Sequence, residues 1–141
     1  MISQTAEYAL RAVVSLAQNI EKPLTTAEIA THTKVPESYL SKVLHALVKG
    51  GIVTSKRGLH GGYILAHPVD VLPLLDIINT VDPIKMIETC PLKLESHGTN
   101  LCALHKSINQ SIKLMEDVFR NATIKTILDD PTKSIPLQDP R

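Results

Sequence analysis

Residues 25–66 read TTAEIATHTKVPESYLSKVLHALVKGGIVTSKRGLHGGYILA, and this stretch decides the fold. It opens with Thr25 and Glu28, a capping-box pair in which each side chain satisfies a free backbone N–H at a helix start. The pattern predicts a short helix from Thr26 to His32. After a brief turn, Pro36 suits the start of a second helix, because proline lacks the N–H that would have no partner there.

The second helix is predicted to run to about Lys49 and to end at Gly50 and Gly51. Its apolar residues repeat at helical spacing, which leaves its polar residues facing outward. Two strand-like segments, 52–54 and 63–65, then flank a glycine- and cation-rich connection. Two helices, a turn and a hairpin in this order are typical of a winged helix-turn-helix.

Working outward from this unit, the periodicity predicts a first helix over residues 3–19 and a linking helix that becomes regular near Pro73. The predicted fold class is mainly α with a small β-wing, a winged helix-turn-helix followed by a long C-terminal dimerisation helix. The predicted organisation is a DNA-binding domain with its linking helix over residues 1–81, a sensor loop over 82–102, dimerisation helices over 103–128 and a flexible tail over 129–141.

The long helix carries an apolar seam whose members are spaced four, four, three and four residues apart, close to a coiled-coil pattern: Leu104, Ile108, Ile112, Met115 and Phe119. A lone helix with this pattern needs a partner surface. The sequence therefore predicts pairing with a second surface here.

Charge and composition limit the classes of function that this protein can have. The 141 residues have no apolar run long enough for a membrane span and no secretion signal, so we expect a cytoplasmic protein without a membrane partner. Residues 1–67 hold seven Lys or Arg and four acids, a charge of +3, so the remainder sums to −2. A basic N-terminal half is typical of a nucleic-acid face.

The candidate DNA-contacting residues lie on the second helix of the unit and on the wing: Ser38, Tyr39, Ser41, Lys42, His45, Lys56, Arg57, His60 and Gly61. Exposed hydroxyls, cations and imidazoles can reach phosphates or base edges, and the tyrosine can pack on the sugar-phosphate backbone. Glycines in the wing allow a close approach to DNA. The expected partner is double-stranded DNA.

Several short motifs also carry a resemblance: Ala9-Leu10-Arg11, Ile29-Ala30, Pro36 with Tyr39-Leu40 and Lys42, and above all Arg57-Gly58 with Gly61-Gly62-Tyr63 and Leu65-Ala66. In these the chain resembles the Rrf2 family of bacterial winged-helix transcription regulators over residues 1 to about 128. The resemblance implies a homodimeric repressor whose long helices cross and whose two heads each bind one half of a near-palindromic operator.

Two cysteines and two histidines lie in or beside the predicted loop: Cys90, His97, Cys102 and His105. Thiolate and imidazole are ligands that iron-sulfur clusters and zinc accept. A zinc site could use all four residues. A reversible disulfide between the cysteines would need no metal, and the loop could equally be inert.

Cluster-binding members of the resembled family carry three cysteines here at even spacing, followed by a histidine. Cys90, Cys102 and His105 match that pattern, whereas Ser96 stands at the middle position. The resemblance implies a two-iron two-sulfur cluster that is completed by His97 or by Glu7 of the other subunit. Such a protein would sense redox state, nitric oxide or iron-sulfur status.

Two other function classes compete with a regulator. A small metalloenzyme would need a general base beside its metal, and the sequence offers no His-Glu-x-x-His motif, so we expect no enzyme. A module for protein contact on the same scaffold stays open, because winged helices also serve that role.

Overall fold

The computed structural model describes residues 1–98 and 100–139 of the chain. These residues form six α-helices and one two-stranded antiparallel sheet. The elements are α1 (Gln4–Gln18), α2 (Thr26–Thr33), α3 (Glu37–Lys49), β1 (Val53–Lys56), β2 (Gly62–Leu65), a 3₁₀ turn (Val69–Val71), α4 (Leu74–Val81), α5 (Ala103–Asn121) and α6 (Ile124–Leu128). The predicted fold class, mainly helical with a small wing and a long C-terminal helix, is confirmed.

Helix α1 is the central element of the core and packs on α2, α3 and α4. Ala6, Ala9 and Ala12 are fully buried at its three-residue spacing. Their small side chains let neighbouring helices approach closely, while Val13 and Leu16 fill the core beyond them. Ser3 caps the helix by accepting a hydrogen bond from the backbone N–H of residue 6.

The helix-turn-helix consists of α2 and α3. The predicted capping box is present, since Thr25 and Glu28 each accept a hydrogen bond from the other's backbone N–H. Helix α2 ends at Lys34, whose backbone is left-handed with φ of 59°, and α3 begins after Pro36. The inner face of α3 is buried through Leu40, Val43, Leu44 and Leu47, so its opposite face is free for contact.

The wing pairs β1 with β2 in the register that sets Val53 opposite Leu65 and Lys56 opposite Gly62. Its base is held to the body by two hydrogen bonds between the backbones of Leu24 and Tyr63, at 2.8 and 3.1 Å. The wing is therefore anchored at the segment that leads into α2.

The C-terminal half returns to the head through α6. Pro73 begins α4, as predicted, and forms an antiparallel bridge with Thr123 just before α6, where Ile124 is fully buried. Helix α5, in contrast, packs on α4 but has no buried residue.

The loop between α4 and α5 is tied to α5 by the side-chain amide of Asn109. The side chain of Asn109 on α5 donates to the carbonyl of Ile87 at 2.7 Å and accepts from its N–H at 2.8 Å. The Asn109 amide thus pairs with both backbone groups of Ile87, as one strand residue pairs with another in an antiparallel sheet.

The segment after α6 contacts the head. Gln18 donates to the carbonyl of Pro136 at 2.8 Å, and Leu137 packs against the core. The prediction of a flexible tail also covers Pro140 and Arg141, which lie outside the described residues. No helix within residues 1–98 and 100–139 has both the length and the apolar character needed to cross a membrane.

Candidate nucleic-acid interface and sensor loop

The outer face of α3 presents the predicted contact residues to solvent. Ser38, Ser41, Lys42 and His45 are all exposed, on the side of the helix opposite its buried leucines. The Ser41 hydroxyl donates to the carbonyl of Glu37 at 3.1 Å. The face thus combines a cation, an imidazole and small hydroxyls, which can bind phosphates and base edges.

Tyr39 has a second partner that sequence reasoning missed. Its ring stands edge-on to Tyr8 of α1, with centroids 5.5 Å apart, and its hydroxyl lies 2.5 Å from the Thr5 hydroxyl. The predicted DNA contact is therefore also a packing residue. It sets the orientation of the first turn of α3 relative to α1.

Arg11 connects α1 to the turn of the helix-turn-helix. Its Nε lies 2.7 Å from a carboxylate oxygen of Glu7, its Nη1 donates to the carbonyl of Thr33 at 3.2 Å, and its guanidinium lies 5.5 Å from the Tyr8 ring centre. The Glu7–Arg11 spacing of four residues is a signal that could have identified the ion pair. No local sequence pattern predicts the hydrogen bond from Arg11 to the carbonyl of Thr33.

The wing offers cations without acidic partners. Lys56, Arg57 and His60 are exposed, and none of them takes part in an ion pair within the described parts of the chain. An unpaired cation on a protruding hairpin can neutralise phosphates without first breaking a salt bridge.

Gly61, a predicted DNA contact, also has a structural role in the wing. Its N–H donates to the carbonyl of Gly58 at 3.0 Å, so it closes the tip turn. A Cβ at this position would lie 2.4 Å from the Lys56 carbonyl oxygen. Only glycine fits this turn, and its N–H is already used inside the protein.

Glu28 is held in its charged form at the start of α2. Its carboxylate accepts from the Thr25 N–H at 2.8 Å and from the Thr25 hydroxyl at 3.1 Å. These hydrogen bonds, the backbone one first, lower the pKa of Glu28 from its ordinary value of 4.5. The capping box therefore stays ionised at neutral pH.

The loop between α4 and α5, together with the start of α5, contains two separate thiol–imidazole pairs. Cys90 is buried, and its Sγ lies 3.7 Å from Nδ1 of His97. Cys102 is half-buried at the start of α5, and its Sγ lies 3.4 Å from Nδ1 of His105. The structure thus brings each cysteine to one of the predicted histidines.

The donor types fit an iron-sulfur cluster or zinc, but their arrangement in a single chain does not. Within residues 1–98 and 100–139, no three His, Cys, Asp or Glu side chains are gathered closely enough to hold a metal ion. Ser96 is exposed, and the Glu7 carboxylate is engaged by Arg11. Among the residues that the structure describes, one chain therefore supplies two ligand pairs and no complete metal site.

Known proteins resemble the chain along nearly its whole length. The Rrf2 family, described as iron-dependent transcriptional regulators, matches residues 2–130. A protein of Aquifex aeolicus described as an HTH-type transcriptional regulator is 33% identical over 138 residues, which is 96% of each chain. The protein aau3 of Rhizobium meliloti is 32% identical over 123 residues, 82% of this chain and 79% of that protein.

Two solved structures share the fold. CymR of B. subtilis, the global cysteine regulator, superimposes with a TM-score of 0.75 at 26% identity, over 90% of this chain and 95% of that one. IscR of T. potens gives a TM-score of 0.74 at 27% identity, over 94% and 89%. With its winged helix and its near-complete family match, the chain belongs to the Rrf2 family, whose members are DNA-binding transcriptional regulators and not enzymes.

Proposed function

We propose that this regulator binds a near-palindromic DNA operator as a homodimer and acts as a repressor. Helix α3 would enter the major groove, and the wing would contact the flanking backbone and minor groove. The observation that carries this proposal is the division of α3 into a buried aliphatic face and an exposed face with Lys42 and His45. The wing that follows α3 in the chain adds the exposed cations Lys56 and Arg57.

Each part of this surface has a distinct task. Major-groove base edges differ in their pattern of donors and acceptors, and short polar side chains such as Ser38 and Ser41 can approach them closely. Lys56 and Arg57 on the wing would neutralise phosphates, which supplies affinity without selecting sequence. The wing base at Leu24 and Tyr63 holds these cations at a fixed distance from α2.

The homodimer is proposed from the exposed face of α5. Leu104 is 65% exposed, Leu114 62% and Val118 65%, and with Ile108 they form an apolar stripe along the helix. Of the predicted seam, Ile112, Met115 and Phe119 are half-buried within the chain, so the stripe is turned relative to that seam. Burying such side chains against a second α5 would contribute roughly 1.5 to 3 kcal/mol each.

Two such heads on one α5 pair would match two half-sites. Half-sites bound on one face of B-DNA are spaced by about 34 Å, so a small change in the angle between heads changes affinity. This geometry explains how a signal received far from α3 could control DNA binding.

The signal is proposed to enter at Cys90 and Cys102. Both lie in the segment that joins α4 of the head to α5 of the dimer. Their thiols can be oxidised, modified or ligated, and any of these changes alters the loop that Asn109 fixes to α5.

The DNA-binding part is tested by fluorescence anisotropy with selected duplexes at increasing salt. If about six or more phosphates are neutralised, affinity should fall about a thousandfold or more between roughly 50 and 200 mM salt. Lys42→Ala should weaken binding, while Lys113→Ala on exposed α5 serves as the matched control. Affinity that does not change with salt would favour a protein-contact module instead.

The sensing part is tested by anaerobic purification of the full chain, followed by an absorption spectrum and iron, sulfide and zinc analysis. Operator affinity is then compared among reduced, oxidised and nitric-oxide-treated samples. Equal affinities in all three states would overturn the sensor proposal and leave the DNA-binding proposal intact. A visible cluster spectrum would favour a site completed between subunits.

A further inference from the structure

The tip of the wing presents a leucine to solvent. Leu59 is 95% exposed, and among the described residues only Met1 is a more exposed large apolar side chain. Leu59 is flanked directly by Gly58 and His60, and Arg57 and Gly61 lie one position further along the chain on either side. A leucine without packing partners does not stabilise the fold.

The tip turn holds this leucine in one place. Gly61 closes the turn onto the carbonyl of Gly58, and the Lys56 carbonyl leaves no room there for a Cβ. The base is fixed as well, because a Cβ at Gly62 would lie 2.5 Å from the Leu24 carbonyl oxygen. A pre-ordered turn loses little conformational entropy when its tip binds a partner.

The surroundings of Leu59 indicate the kind of partner. Lys56, Arg57 and His60 are all exposed around it, so the tip combines positive potential with an apolar centre. The DNA minor groove matches this combination, since its sugar walls are apolar and its rims carry phosphates. DNA-binding proteins insert leucine and other apolar side chains into this groove.

We propose that Leu59 is an apolar minor-groove contact at the wing tip, and that it makes the protein prefer A·T over G·C pairs where the wing meets each half-site. This inference rests on the proposed function, namely operator binding through α3 and the wing. It adds a specificity determinant to a hairpin whose exposed cations, Lys56 and Arg57, would contact phosphates.

The preference follows from the shape of the groove floor. A G·C pair projects the guanine N2 amino group into the minor groove, whereas an A·T pair has no such group. A leucine against that amino group is obstructed and buries a donor without an acceptor. The narrower groove of A·T-rich DNA also brings the sugar walls closer to the leucine and attracts Arg57.

The test uses the full chain and a duplex obtained by selection from random DNA. The wing position is located as the segment whose hydroxyl-radical protection is lost in Arg57→Ala. Three duplexes are then compared, with A·T, G·C or inosine·cytosine at that position. Inosine lacks the N2 amino group and otherwise keeps the major-groove edge of guanine. The inosine duplex therefore distinguishes recognition through the minor groove from recognition through the major groove.

We expect the wild-type protein to bind the A·T and inosine duplexes about tenfold more tightly than the G·C duplex, as for one unsatisfied buried donor. Leu59→Ala should reduce this ratio to about threefold or less. Val71→Ala, a truncation of another exposed apolar side chain that lies outside α3 and the wing, should leave the ratio unchanged.

Three results would overturn the inference alone: selected sites with G·C at the wing position, equal binding of the G·C and inosine duplexes, or an unchanged ratio in Leu59→Ala. Recovery of no duplex from the selection would overturn the proposed function, and this inference with it. The two failures are therefore distinguishable.

Discussion

The ring of Tyr39 at the start of α3 stands at 81° to the ring of Tyr8 on α1, with the centroids 5.5 Å apart. This edge-to-face contact joins the proposed recognition helix to the central helix of the core. Arg11 lies beside the same Tyr8 ring and donates to the carbonyl of Thr33. It therefore links the turn of the helix-turn-helix to the two tyrosines.

Tyr8→Ala should therefore loosen α3 and weaken DNA binding without removing any residue from the DNA-facing surface. An edge-to-face pair contributes about 0.5 to 1.5 kcal/mol beyond buried area, so the midpoint of chemical unfolding should fall. Tyr39→Phe is the matched control, because it keeps the ring pair and loses only the hydroxyl contact with Thr5. Equal stability and affinity in Tyr8→Ala would contradict the positioning role.

Arg57→Ala should weaken operator binding and leave dimerisation unchanged. Because one phosphate contact is lost, the slope of log affinity against log salt should become shallower by about one. Anisotropy titrations at several salt concentrations measure the slope, and sedimentation velocity measures the dimer. An unaltered slope would count against a phosphate contact by the wing.

The capping box predicts a pH dependence of stability. The pKa of Glu28 is lowered from 4.5 in the folded chain by hydrogen bonds from Thr25. A lowered folded-state pKa means that the stabilisation is present above pH 4.5 and is lost as the pH falls through the still lower folded value.

Glu28→Gln keeps an acceptor for the Thr25 N–H and removes the charge. Wild type should be more stable than Glu28→Gln near neutral pH, and the difference should disappear once the pH falls below the lowered folded-state pKa of Glu28. Thermal unfolding of both proteins across this range measures it. A difference that stays constant with pH would exclude the carboxylate as its source.

Leu114→Asp should dissociate the proposed homodimer. A carboxylate buried in an apolar helix pair is desolvated without a partner, so dimerisation should weaken by at least about tenfold. Sedimentation equilibrium measures this change. Lys113→Glu is the control, since at 3.6 residues per turn residue 113 faces away from the apolar stripe. A Leu114→Asp dimer as stable as wild type would place the interface elsewhere.

Asn109→Ala should release the sensor loop from α5. Two hydrogen bonds to the Ile87 backbone are lost, leaving a half-buried N–H and carbonyl without these partners, at a cost of about 1 to 3 kcal/mol. Hydrogen exchange of the Ile87 amide should accelerate. Gln110→Ala, an exposed neighbour, should not change it. Unchanged exchange in Asn109→Ala would show that other contacts hold the loop.

The elements of the DNA-binding unit could be derived from local sequence patterns alone. The capping box of α2, the start of α3 after Pro36 and the hairpin after Gly51 all depend on residues a few positions apart in the chain. Caps, turns and helical periodicity are local interactions, and so they can be derived without knowing the fold. The long α5 followed from periodicity in the same way, and the pairing of its exposed face with a second surface stays a prediction.

Only the tertiary structure decided which distant residues meet. Tyr39 and Tyr8 are separated in the chain by most of α1 and all of α2, and no local pattern pairs them. The division of the four sulfur and nitrogen donors into two pairs likewise depends on how the loop folds onto α5. The N–H of Gly61, a predicted DNA contact, also closes the wing tip by its hydrogen bond to the Gly58 carbonyl. Such contacts depend on the packing of whole elements, which a single sequence does not encode locally.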